Sequence, residues 1–130
     1  MNVPQPILDT HEELTQWRRD FHAHPELGFE EARTSALVAE RLAACDGIEI
    51  NRGIGKTGIV ATLRVGSGKG SVGLRADMDA LPMAEENDFG HRSQSAGRMH
   101  ACGHDGHTTM LLGAARHLAR TRNRSEEPTS

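Results

Sequence analysis

The chain has little of what a secreted, membrane-spanning or nucleic-acid-binding protein needs. Two cysteines, Cys45 and Cys102, stand in 130 residues, too few for the disulfide framework of a small secreted domain. The first residues, MNVPQPILDTHEEL, hold neither a basic start nor an apolar run. No secretory signal is read there, and reduced thiols in the cytoplasm are the expectation. No stretch reaches the roughly 18 consecutive apolar residues of a membrane helix. Positive charge is not in excess: 15 Lys and Arg against 18 Asp and Glu leave a net charge of −3. That is no electrostatic footprint for nucleic acid or an anionic membrane. Internal repeats are absent as well.

What remains is a globular composition, 36% apolar with 14 glycines, at the length of one domain. Thr10 and Glu13 fit a capping box, and Leu14, Trp17, Arg18 and Phe21 continue at helical spacing up to Pro25, which ends the helix. Residues 30–44, alanine-rich and free of glycine and proline, predict a second helix carrying Phe29, Ala36, Leu37 and Leu42 toward one side, closed by Asp46 and Gly47. The period then changes. Residues 48–50, 58–65 and 71–75 predict short strands, with GSGKG at 66–70 as a hairpin connection. Residues 82–96 read as a loop and 108–118 as a helix. This order suits an α/β domain with helices packed on a mixed sheet.

Three segments invite a chemical reading. GIGKTG at 53–58 contains GKT, but a phosphate loop needs a glycine five positions before Gly55 and a helix after it. Ile50 stands in that place and a strand follows, so these glycines predict a turn. LRADMDALP at 74–82 sets Asp77 and Asp79 two apart at a strand end, where both carboxylates face one side. They are either cleft-facing acids that orient a metal site or solvated acids at a junction. HACGHDGH at 100–107 is the strongest signal. Thiolate and imidazole suit borderline divalent metals, and Cys102 and His104, separated by Gly103, can turn toward one site. Two other readings stand beside it: a metal-binding module without catalysis, and a thiol hydrolase in which His100 or His104 activates Cys102.

HAHPELGFEE at 22–31, GLRADMDALPM at 73–83 and MHACGHDGHTTMLLGAA at 99–115 together resemble the amidohydrolases typified by hippurate hydrolase and the auxin-conjugate hydrolases. These are a branch of the metal-dependent aminoacylase and carboxypeptidase superfamily. The resemblance runs from Leu14 to Ala119. It implies the partial catalytic domain of a dinuclear metallohydrolase, with Cys102 and His104 as metal ligands and Asp79 orienting the site. It implies two divalent ions (zinc, manganese, cobalt or nickel), an N-acyl amino acid as substrate, and a homodimeric full-length protein. His22, His24, Asp105 and His107 fall within the motifs without an assigned role.

The family's general base, a glutamate in a Glu-Glu pair after a later strand, its remaining ligands and its lid and dimerisation domain all lie further downstream. Residues 1–119 are accordingly expected to be the N-terminal part of the catalytic domain. Residues 120–130, RTRNRSEEPTS, read as a polar tail, a product of truncation or of read-through into adapter DNA. Glu126 and Glu127 lack a preceding apolar strand and are not given the base's role. The 130-residue chain is expected to be inactive alone.

Overall fold

A computed structural model describes residues 2–122. Its order is α1 (Gln5–Leu8), α2 (His11–Ala23), α3 (Ala32–Ala43), β1 (Ile48–Ile54), β2 (Gly58–Leu63) and α4 (His104–Thr121). The α/β character is as expected. The sheet of the described residues is a two-stranded antiparallel hairpin, with Ile48 opposite Leu63 and Ile54 opposite Gly58. No helix among the described residues is long and apolar enough to cross a membrane.

The core is small. Phe21 of α2, Val38 and Leu42 of α3 and Leu112 of α4 are buried together, and Trp17, Leu37, Ile48, Ile50, Ile59 and Met78 pack around them. Trp17 lies between two guanidinium groups, Arg41 of α3 at 4.8 Å and Arg116 of α4 at 4.7 Å from the ring centroid. Arg116 also donates to Glu13 Oε1 at 2.9 Å. Each such cation–ring contact contributes about 0.5–1 kcal/mol, and together they tie the three longer helices at one residue.

Several boundaries differ from the sequence expectation, each for a local reason. Thr10 precedes α2, but its hydroxyl donates back to the Ile7 carbonyl of α1, so no capping box forms. α3 starts at Ala32 because Phe29 sits at φ 66° and leaves the chain outside helical geometry. Phe29 is 67% exposed rather than on the core side, Ala36 is exposed too, and Thr34, Ser35, Val38, Ala39 and Leu42 form the buried face. The hairpin connection is the GIGKTG segment, not GSGKG. Gly55 (φ 56°) and Lys56 (φ 78°) turn the chain between β1 and β2, and no helix follows to make a phosphate loop.

Residues 71–75 form no strand, since no described strand lies beside them to complete a ladder. Val72 is 88% and Leu74 58% exposed. α4 begins four residues earlier than expected, at His104, and runs on to Thr121, so the helix passes the 119/120 boundary. Glu126 and Glu127 lie outside the described residues.

Candidate metal centre

The 77–80 segment is fixed by its neighbours rather than by a ladder. The Ala80 N–H donates to the Glu26 carbonyl at 2.8 Å, Thr108 Oγ1 donates to the Asp77 carbonyl at 3.0 Å, and Leu81 pairs with Met99. The HPELGFEE turn packs beside this segment, with a Cβ at Gly28 coming no nearer than 3.9 Å to Asp79 Cβ. Glu26 ends in a cap: its carboxylate accepts from the backbone N–H of Arg33 (3.0 Å) and Thr34 (2.6 Å) and from the Thr34 hydroxyl (2.7 Å). It satisfies donors left free at the start of α3. The HPE motif thus works by building the wall on which Asp79 rests.

Asp79 and His104 come together as the sequence suggests. His104 Nδ1–H donates to the Asp79 carbonyl and to Asp79 Oδ1, both at 2.9 Å. With Nδ1 carrying the proton, the neutral ring presents its lone pair at Nε2, the arrangement found where a histidine ligates a metal. Cys102 is an exposed free thiol on the other side of Gly103, whose φ of 130° only glycine takes without strain. Asp77 does not join them. It is 2.6 Å from the Arg75 guanidinium and exposed to solvent on that side.

His100 is buried, and neither of its ring nitrogens has a hydrogen-bond partner among the described residues. Burial is the main cause that lowers its pKa below the ordinary 6.5. The Cys102 thiol and the His104 imidazole in its ligating tautomer form a donor set suited to a borderline divalent ion. It is not a complete one: the described residues hold no group of three donors arranged around one ion.

A second cluster was not foreseen as such. His22, buried on α2, donates from Nδ1 to Asp105 Oδ2 at 2.8 Å and from Nε2 to the Glu85 carboxylate at 3.0 Å. Glu85 also accepts from the Ser93 N–H (2.7 Å) and Asn87 (3.0 Å). Burial opposes charge on His22, but the hydrogen bonds and charges of both carboxylates prevail and raise its pKa. Glu85 is pushed up by burial and pulled down further by His22, Asn87 and Ser93, ending below its ordinary value. His22 and Asp105 fall within the motifs without an assigned role, and the loop residue Glu85 carried no sequence signal. His24 is structural, donating to the Asp20 carbonyl at 2.9 Å. The exposed His107 packs 5.9 Å from the His104 ring. A cleft of about 700 Å³ opens between α2 and α4 and reaches His22, Gly103, Asp105 and His107, without Cys102 or His104 in its lining.

This geometry defines a candidate metal-binding turn on an α/β scaffold, and comparison with known proteins shows what the chain resembles. Residues 73–129 match the family model for Peptidase family M20/M25/M40. It is 49% identical over 119 residues to a hippurate hydrolase of Campylobacter jejuni, covering 92% of this chain and 31% of that protein. It is 48% identical to an N-acyl-L-amino acid amidohydrolase of Geobacillus stearothermophilus, over 85% of this chain and 30% of the other. A dinuclear metal binding peptidase of the M20 family from Bacillus subtilis superposes with a TM-score of 0.82 at 36% identity, over 92% of this chain and 33% of that one. The chain spans about a third of the length of the curated relatives it matches.

Proposed function

We propose that the chain is the N-terminal, metal-binding part of a metal-dependent amidohydrolase that cleaves the amide bond of N-acyl amino acids. The observation that carries this reading is the Asp79–His104 pair, which fixes an imidazole in the ligating tautomer one glycine away from the Cys102 thiol. Cys102, as thiolate, and His104, through Nε2, are the proposed ligands, and Asp79 orients His104. Two divalent ions of the zinc, manganese, cobalt or nickel kind supply Lewis acidity and a water acidified to near neutrality.

The names of the relatives, hippurate hydrolase and N-acyl-L-amino acid amidohydrolase, support small N-acylated amino acids as substrates. A cytoplasmic, homodimeric full-length enzyme belongs to the same proposal, in keeping with the two free cysteines. The general base and remaining ligands are proposed to come from outside residues 2–122, so the 130-residue chain binds metal without turnover.

The test is to titrate the purified chain with Co²⁺, following thiolate-to-cobalt absorbance, and to assay hippurate hydrolysis in parallel. Binding that disappears in Cys102→Ser and in His104→Ala, without hydrolysis, is the expected result. Absence of binding overturns the metal reading, and metal-dependent hydrolysis by this chain overturns the division of the site. Hydrolysis that survives a chelator and is lost to a thiol alkylator selects the thiol-hydrolase reading instead.

A further inference from the structure

His22 is where three parts of the molecule meet. It belongs to α2, Glu85 to the 82–103 loop that delivers Cys102, and Asp105 to the first turn of α4, directly after His104. Ionised carboxylates only accept hydrogen bonds, so a ring serving one on each nitrogen carries both protons and a positive charge. The three side chains are well shielded: that of Glu85 is 3% exposed, that of Asp105 1% and that of His22 9%. Phe89 and His91 stack at 3.9 Å and close over the His22 ring at 5.8 and 5.7 Å. In such surroundings charge-assisted hydrogen bonds are short and strong. Arg18 adds a longer contact to Asp105 Oδ2, at 3.6 Å and from an exposed side chain.

The position of the clamp matters more than its strength. On one side of the Cys102–Gly103–His104 turn, Asp79 holds the His104 ring. On the other, the turn is anchored through its two flanks: Asp105 immediately after it, and the loop before it, which Glu85 gathers by accepting from Ser93. Both flanks end on one imidazole. A glycine at φ 130° supplies no rigidity of its own, so the relative placement of the thiol and the imidazole depends on what holds the flanks.

We propose that His22 is a positioning residue for the Cys102/His104 pair: its imidazolium ties the Glu85 loop and the Asp105 turn to α2 and so presets the two donors. The inference rests on the metal reading above. Groups that bond a ligand directly, as Asp79 does His104, affect metal affinity about 10–100-fold when removed; His22 acts one contact further out, so its effect is expected at or below the low end of that range.

The test uses the full chain with three variants. His22→Phe keeps a ring and removes both donors, His22→Gln keeps one amide donor, and Glu85→Gln keeps the shape and removes the charge. Co²⁺ titration is expected to show affinity falling by up to about 10-fold in His22→Phe and by less in His22→Gln and Glu85→Gln, with thiolate-to-cobalt bands shifted. Amide NMR of the metal-free chain supplies a readout independent of metal. Resonances of Cys102 to Gly106 are expected to shift and exchange faster in His22→Gln and Glu85→Gln, while those of β1 and β2 stay in place. Unchanged amide protection at 102–106 in all folded variants overturns the clamp. Cobalt affinity equal to the parent chain's overturns its role in positioning. If the parent chain binds no cobalt, the metal reading fails, and the amide data still decide whether the clamp exists.

Discussion

Glu26 shows how a residue inside a chemical motif can do structural work. Its carboxylate takes three donors at the start of α3, two backbone and one hydroxyl, while its own carbonyl receives the Ala80 N–H next to Asp79. Replacing it by alanine strands those donors. Glu26→Ala is expected to destabilise the chain by about 1–3 kcal/mol, and Glu26→Gln by less because one acceptor remains; chemical denaturation measures both. The Asp79–His104 contact joins two short segments that the sequence marks, although spacing alone left Asp77 and Asp79 open and the resemblance singled out Asp79. Glu85 was not legible, because its partner His22 stands 63 positions away and a carboxylate in a polar loop looks like any solvated acid. The same holds for the role of Asp105, 83 residues from His22. Periodicity reports faces of elements, whereas these contacts are made by the packing of α2 on α4.

At the scale of elements, helices were legible in kind and approximate place, and their ends were not. α2 follows the expected stripe, yet Thr10 spends its hydroxyl on Ile7; the short α1 that offers this carbonyl gave no periodic signal. Strand expectation failed at 71–75, where Val72 and Leu74 alternate but a neighbouring strand among the described residues is missing, since pairing is a property of two segments. The packing of α2 on α4 depends on a glycine that sequence treats as a mere weak helix former. A Cβ at Gly113 would stand 3.0 Å from Leu14 Cδ1 and 3.4 Å from Cδ2. Gly113→Ala combines a gain in helix propensity with a contact that Leu14 must relieve, so its net effect is small. Gly113→Val places further methyl groups there and is expected to destabilise by about 1–3 kcal/mol, read from thermal unfolding. Equal melting of Gly113→Val and the parent chain would show that the two helices are not in close contact.

For the whole molecule, the clamp and the buried imidazole make stability a function of pH with two opposing limbs. His22 has a raised pKa. The folded state holds its proton more firmly than the unfolded one, so the stabilisation is complete below 6.5 and is lost as pH climbs through the raised value. His100 has a lowered pKa, chiefly from burial. Its contribution is complete above 6.5 and is lost as pH falls, because the unfolded chain then takes up a proton that the folded chain refuses. Glu85, lowered in the folded state, adds a further loss at more acid pH, below its ordinary 4.5. The melting temperature of the metal-free chain, kept so with a chelator, is therefore expected to peak near pH 6.5 and decline on both sides. Glu85→Gln removes much of what raises His22, so it should flatten the alkaline limb and leave the His100 limb in place. A melting temperature that rises steadily from about pH 5 to pH 8, with no decline above the maximum, would mean that His22 is not held as an imidazolium. The three elements it joins would then be held without that charge, by contacts such as Gln94 N–H to the Ala23 carbonyl and Arg18 to Asp105.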